Sequence, residues 1–163
     1  AIDILHESTP LSISRRAFVE GVRNVSALTS FCGRWQVLSQ RPLIVCDSAH
    51  NEHGAVEVGE QLKHRTNNGR LLCVMGFCDD KDYRKMLALM PQDAHFILTE
   101  AAIARAASVA NVAEAATSLG LDFEVASSVE EALAKAKMQL SEDDMLFVGG
   151  SSYVVAEVLS ATI

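Results

Sequence analysis

Along most of the chain, short unbroken apolar runs alternate with stretches whose apolar residues recur at helical spacing. The runs cover residues 35–38, 43–46, 71–75, 95–98, 123–125 and 145–148. Most are continuous rather than alternating, so they predict strands buried on both faces. Helices are predicted between them at 52–64, 83–89, 107–119, 129–140 and 151–159. The fourth opens with Ser128-Val129-Glu130-Glu131, which fits a capping box, and Val129, Ala132, Leu133 and Ala136 share one of its faces. Alternating strand and helix implies parallel strands joined by right-handed crossovers. The expected fold is α/β and Rossmann-like, an about six-stranded, mostly parallel sheet with helices on both faces. Only Ser39-Gln40-Arg41-Pro42 separates the first two strands. That is too short for a crossover, so the first strand is expected to be an antiparallel edge strand. Ahead of it, Ile13, Ala17, Val22, Val25 and Leu28 predict a helix over 13–28 with Ser12 or Ser14 as its cap, and Thr29-Ser30-Phe31-Cys32-Gly33 reads as a linker.

A length of 163 residues fits one domain with a short appendage, and 49% hydrophobic against 21% charged residues supplies a real core. The net charge of −7 argues against a nucleic-acid partner, but not against small anions met by a few placed arginines. No run approaches the about 18 apolar residues of a membrane span, and no signal peptide is visible. A cytoplasmic setting without membrane contact is therefore expected. Cys46 and Cys73 lie inside apolar runs and read as core residues, and no cysteine spacing resembles a zinc set. The chain starts at Ala1 without Met, as if cut from a longer protein.

Open parallel sheets bind ligands beyond the carboxyl ends of their strands. Asp47-Ser48-Ala49-His50-Asn51 follows the second strand and Gly76 to Asp82 the third. Thr99-Glu100 and then Arg105 follow the fourth, and Gly149-Gly150-Ser151 the last. Asp47 and Asn51 each read either as a helix cap or as a ligand contact. His50 sits near a helix N-terminus, where the dipole disfavours its protonated form and leaves a neutral ring able to orient a polar ligand. His50-x2-His53 lacks both the usual i,i+4 spacing and a third metal ligand. Asp79-Asp80-Lys81-Asp82 reads first as a solvated turn. Gly149-Gly150-Ser151 permits a sharp entry into a helix whose exposed amides suit a carboxylate or phosphate. Arg34 is either surface decoration or a planar fork for phosphate. Neither the dinucleotide fingerprint nor a phosphate-binding loop is present.

These segments carry a resemblance. Gly33-Arg34-Trp35-Gln36-Val37-Leu38 followed by Pro42-Leu43-Ile44-Val45-Cys46-Asp47-Ser48-Ala49-His50-Asn51 resembles the start of the carboxy-terminal domain of folylpolyglutamate synthases, including the bifunctional dihydrofolate/folylpolyglutamate synthases, in the Mur ligase superfamily. Gly76 with Asp80-Lys81-Asp82, the pair Arg105-Ala106, and the closing run from Gly150-Ser151 to Leu159 continue the match in order. Three positions depart from the family pattern: Cys32 and Glu52 stand where proline is usual, and Ser48 where glycine is common.

The resemblance implies an ATP- and Mg2+-dependent ligase that converts a pterin-linked carboxylate to an acyl phosphate, which the amine of L-glutamate then attacks. Dihydropteroate or a folate would accept the glutamate. Such chemistry needs charge clamping and positioning more than a protein nucleophile. Residues 1–30 would be the last helix and linker of a central ATPase domain, and residues 31–163 the ligase carboxy-terminal domain. The phosphate-binding loop and the metal ligands would lie in the amino-terminal domain, its partner within a monomer, leaving no metal ligand in this fragment and no activity alone. Carried over by position, Arg34 and Asp47 would contact ATP, and His50 and Ser151 would hold glutamate. Asn51, Lys81, Arg105 and Gly150 are further cleft candidates. Two alternatives compete: a stand-alone Rossmann-like module for a nucleotide or small acid, and a ligase adding amino acids to a peptidoglycan precursor.

Overall fold

The computed structural model describes residues 2–8, 10, 12–65 and 69–162. Two compact units divide the chain, Ala1–Cys32 and Gly33–Ile163. The first holds three helices, α1 (Ile2–Ser8), α2 (Arg15–Arg23) and α3 (Val25–Thr29). Ser14 caps α2, its Oγ accepting from the Ala17 N–H at 3.1 Å. The single helix expected over 13–28 is broken at Asn24, which adopts φ −109° and ψ 18°. Its side-chain amide donates to the Glu20 carbonyl at 2.8 Å, the kind of local bond with which asparagine competes against a helix. No residue of α2 or α3 is buried, and Phe18, Val22, Val25 and Leu28 are exposed.

The second unit is built on one six-stranded sheet. Its strands are β1 (Gln36–Gln40), β2 (Leu43–Cys46), β3 (Leu71–Met75), β4 (His95–Leu98), β5 (Asp122–Val125) and β6 (Met145–Gly149). Its helices are α4 (Glu52–Arg65), α5 (Tyr83–Leu89), α6 (Val109–Leu119), α7 (Val129–Gln139) and α8 (Ser152–Thr162). The strand order is β1-β2-β6-β3-β4-β5. Every pairing is parallel except β1 with β2, the expected antiparallel edge.

Successive residues of each strand face opposite sides of the sheet, and the two cores follow that rule. On one face Val45, Cys73, Met75, Phe96 and Phe147 pack with Val58 and Leu62 of α4, Leu87 of α5 and Val112 of α6. On the other, Cys46, Leu72, Val74, Ile97, Leu146 and Val148 pack with Val129 and Ala132 of α7 and Val154 and Val158 of α8. The apolar runs of β2, β3, β4 and β6 are therefore strands covered on both sides, whereas the edge strands β1 and β5 hold no buried residue. At the N-terminus of α7, Ser128 Oγ accepts from the Glu131 N–H at 3.1 Å, as expected. The reciprocal arm is shifted by one residue, the Glu131 carboxylate accepting from the Ser127 N–H at 2.8 Å and its hydroxyl at 2.6 Å.

Candidate functional site

The candidate residues all lie within the second unit, following the carboxyl ends of β2, β3, β4 and β6 except for Arg34, which precedes β1. The first corner is a turn stitched to a strand end. Gly33 adopts φ +74°, a left-handed conformation open to glycine, and its carbonyl accepts from the Ser48 N–H at 2.8 Å. Asp47 is nearly buried. One of its carboxylate oxygens accepts from the Trp35 N–H and the other from the Ala49 N–H, each at 2.7 Å. Arg34 Nη1 lies 3.6 Å from Asp47 Oδ1, and half of the Arg34 side chain is exposed. Asp47 therefore does not cap α4. It folds the Arg34 turn back over the strand end and balances a guanidinium that keeps most of its donors free. Asn51 takes the capping role instead, its Oδ1 accepting from the Gly54 N–H at 2.9 Å.

The second group surrounds a cavity of about 210 Å³ lined by His50, Lys81, Arg105, Gly150, Ser151 and Tyr153. Five of the eight positions singled out in the sequence thus share one space, with Arg34, Asp47 and Asn51 outside its lining. Gly150, at φ +88°, makes the turn from β6 into α8, and a Cβ there would stand 2.7 Å from the Gly76 carbonyl oxygen. Ser151 is buried and caps α8, its Oγ accepting from the Tyr153 N–H at 3.0 Å. Its hydroxyl hydrogen remains available to a ligand. His50 Nδ1 is 3.0 Å from the Ser48 carbonyl oxygen. A carbonyl only accepts, so Nδ1 carries the hydrogen, and in the neutral ring Nε2 keeps a bare lone pair.

Asp80 ties the cavity's cations together. Arg105 Nη2 donates to Asp80 Oδ1 and Lys81 Nζ to Asp80 Oδ2, each at 2.9 Å. Hydrogen bonds from Lys81 and then Arg105 hold the Asp80 carboxyl below its ordinary range, and the bond to Asp80 in turn pushes the Arg105 guanidinium up. The aspartates of the acidic turn are exposed, as expected of a solvated turn, yet two of them are engaged. Asp82 caps α5 through the Lys85 N–H at 3.1 Å, while Asp80 faces its basic partners. Asp80 and Tyr153 were not expected as site residues. Tyr153 follows the strand-end serine by two positions and was within reach of the strand-end rule. Asp80 pairs with a residue 25 positions away, which no local pattern reveals.

Among the described residues no cluster of three or more His, Cys, Asp or Glu side chains could hold a metal ion. No helix among them is long and apolar enough to cross a membrane.

Residues 33–152 match the family described as Mur ligase, glutamate ligase domain. The chain belongs to this family of Mur ligase glutamate ligase domains. Dihydrofolate synthase/folylpolyglutamate synthase of Escherichia coli is 32% identical over 153 residues, 91% of this chain and 34% of that protein. A bifunctional folylpolyglutamate synthase/dihydrofolate synthase of Yersinia pestis, complexed with AMPPNP and Mn ion, matches 98% of this chain and 37% of its own at 30% identity and a TM-score of 0.82. Another structure of such a bifunctional enzyme, with Mn, AMPPNP and L-glutamate bound, matches at 30% identity and a TM-score of 0.83, covering 98% of this chain and 37% of that one. The chain thus spans about a third or less of the length of the relatives it matches.

Proposed function

We propose that this chain is the carboxy-terminal part of an ATP-dependent ligase that joins L-glutamate to dihydropteroate or to a folate. The observation that carries this reading is the cavity at the strand ends, where His50, Lys81, Arg105 and Ser151 converge. A buried serine at a helix start, two cations and an imidazole suit an amino acid, with its carboxylates and its amine. The relatives' names and their complexes with AMPPNP, Mn and L-glutamate support the same reading.

In this reading ATP supplies the phosphoryl group that makes the acceptor carboxylate reactive toward an amine. This domain's own residues bind and orient. Arg34, free on most of its donors, takes phosphate oxygens of ATP, and Asp47 holds Arg34 in place while facing the nucleotide. Ser151 donates its hydroxyl hydrogen to a carboxylate of glutamate, beside the positive end of α8. His50, hydrogen-bonded through Nδ1, offers Nε2 as acceptor for an N–H of the attacking amine. Gly150 lets this backbone approach the ligand closely, and Asn51 fixes the start of α4 next to His50. Mg2+ would be held by the amino-terminal ATPase domain, the intramolecular partner, to which residues 1–30 would belong as terminal helix and linker.

The test uses the full-length ligase. Glutamate-dependent ATP turnover should fall at least about tenfold in Arg34→Ala and in Asp47→Ala, the loss of one charge-assisted contact. Unchanged turnover in both would remove these assignments. Calorimetry of the isolated chain with ATP should show weak or no binding, because the nucleotide site is shared between domains. Tight binding by the isolated chain would favour a stand-alone nucleotide-binding module instead.

A further inference from the structure

Two strand-end loops are zipped together by their backbones. The Ala107 N–H donates to the Phe77 carbonyl at 2.9 Å and the Asp79 N–H to the Arg105 carbonyl at 3.0 Å. Between these bonds Cys78 and Ala106 form an antiparallel bridge. The second loop is fixed at both ends, the Ala102 N–H donating to Glu157 Oε1 of α8 at 2.7 Å and the Val109 N–H to Glu100 Oε2 at 2.8 Å. This ribbon delivers Arg105 to Asp80, whose other oxygen holds Lys81.

One carboxylate between two cations leaves the cavity one net positive charge, within a chain of net charge −7. The Asp80 contact engages Nη2 of a guanidinium with five N–H donors, and half of the Arg105 side chain is exposed. The remaining donors are therefore available to a ligand. At about 210 Å³ the cavity lies below the roughly 300–1,000 Å³ typical of sites for drug-sized ligands. An amino acid suits it better than a nucleotide. It has two separate anion-binding elements, Ser151 at the start of α8 and the Lys81/Arg105 pair, which fits a ligand carrying two carboxylates.

We propose that Arg105, held by Asp80, takes the side-chain carboxylate of an incoming dicarboxylic amino acid while Ser151 and the start of α8 take its α-carboxylate. Arg105 is then a specificity-determining residue and Asp80 a positioning residue that acts through it. Without Asp80, Lys81 and Arg105 would repel each other and the guanidinium would lose its fixed orientation. The inference rests on the ligase reading above and adds the basis for choosing an acidic acceptor.

Steady-state kinetics of the full-length ligase with L-glutamate and L-glutamine as competing amine substrates test it. Asp80→Asn should raise the KM for L-glutamate about tenfold, with kcat and the KM for ATP within about twofold. Arg105→Gln should raise the glutamate KM about a hundredfold, as expected for a lost charge-assisted pair. Its rate with L-glutamine should fall far less, so the preference for glutamate collapses. Arg105→Lys should restore part of that preference. The double variant should be no worse than Arg105→Gln, because both changes act on one contact. A loop staple with no ligand role would lower the Tm and depress both substrates alike. That result, or an intact preference in Arg105→Gln, overturns the proposal. Should Arg105→Gln not fold, an unchanged preference in Arg105→Lys and Asp80→Asn overturns it equally. A wild-type enzyme without glutamate-dependent turnover refutes the ligase reading and this inference with it, whereas an active wild type with unaltered variants refutes the inference alone.

Discussion

In the sequence Asp47 reads either as a helix cap or as a ligand contact, and in the fold its side chain does not cap α4 but ties two backbone segments together. With both oxygens accepting backbone N–H groups at 2.7 Å and Arg34 at 3.6 Å, it is the fixed point that relates the Arg34 turn to the end of β2. Removing it leaves two donors without their partner in a nearly closed environment. Asp47→Ala should therefore cost about 3 kcal/mol in urea unfolding, and a loss within error of zero would contradict the role. Glu131 is a second residue whose environment is measurable. Bonds from the Ser127 hydroxyl and N–H, then from Lys135, bring its carboxyl from an ordinary 4.5 down to about 2. Its folded form thus binds a proton less readily than the unfolded chain. The stabilisation is present above the unfolded value and is lost as pH falls through the folded one. Wild-type and Glu131→Gln urea midpoints should differ most at neutral pH and converge as the pH falls from about 4.5 toward 2. A gap independent of pH would exclude this origin.

At the scale of elements, legibility in the sequence follows from how much of a segment's environment its own residues dictate. β2, β3 and β4 were readable to the residue because each is an apolar run buried on both faces. The break at Asn24 was not readable, because Val22, Val25 and Leu28 keep helical spacing across it while one side-chain amide captures the Glu20 carbonyl. α1 spans only seven residues, too few for a helical period to register. The ends of β1 and the start of α6 were displaced by one or two residues, since the bulge between Val37 and Ser39 and the Ser108 cap are tertiary and capping choices. Strand-end position singled out His50, Lys81, Arg105, Gly150 and Ser151, which line one cavity. It could not find the Asp80–Arg105 pair, which depends on how two loops fold against each other. The β6-to-α8 turn is the element on which Ser151 depends. Gly150→Ala should destabilise the fold by more than about 2 kcal/mol, combining a left-handed backbone with an overlap on the Gly76 carbonyl. A smaller loss would mean the turn relaxes freely.

At the scale of the molecule, all of the site residues lie on the Gly33–Ile163 unit and at one end of its sheet. A parallel sheet covered by helices on both faces leaves its strand ends as the place for ligands, and here those ends carry a guanidinium corner beside a small cationic cavity. Neither feature has a phosphate-binding loop or a metal cluster among the described residues. In the proposed reading this unit supplies one wall of the site of a larger ligase. The most direct measurement is the mass of dihydropteroate and of a folate after incubation with ATP, a divalent metal, L-glutamate and the full-length protein. One added glutamyl residue on at least one of them, dependent on ATP and absent when this chain acts alone, is the predicted result. No glutamyl addition to either acceptor by the full-length protein would contradict the account.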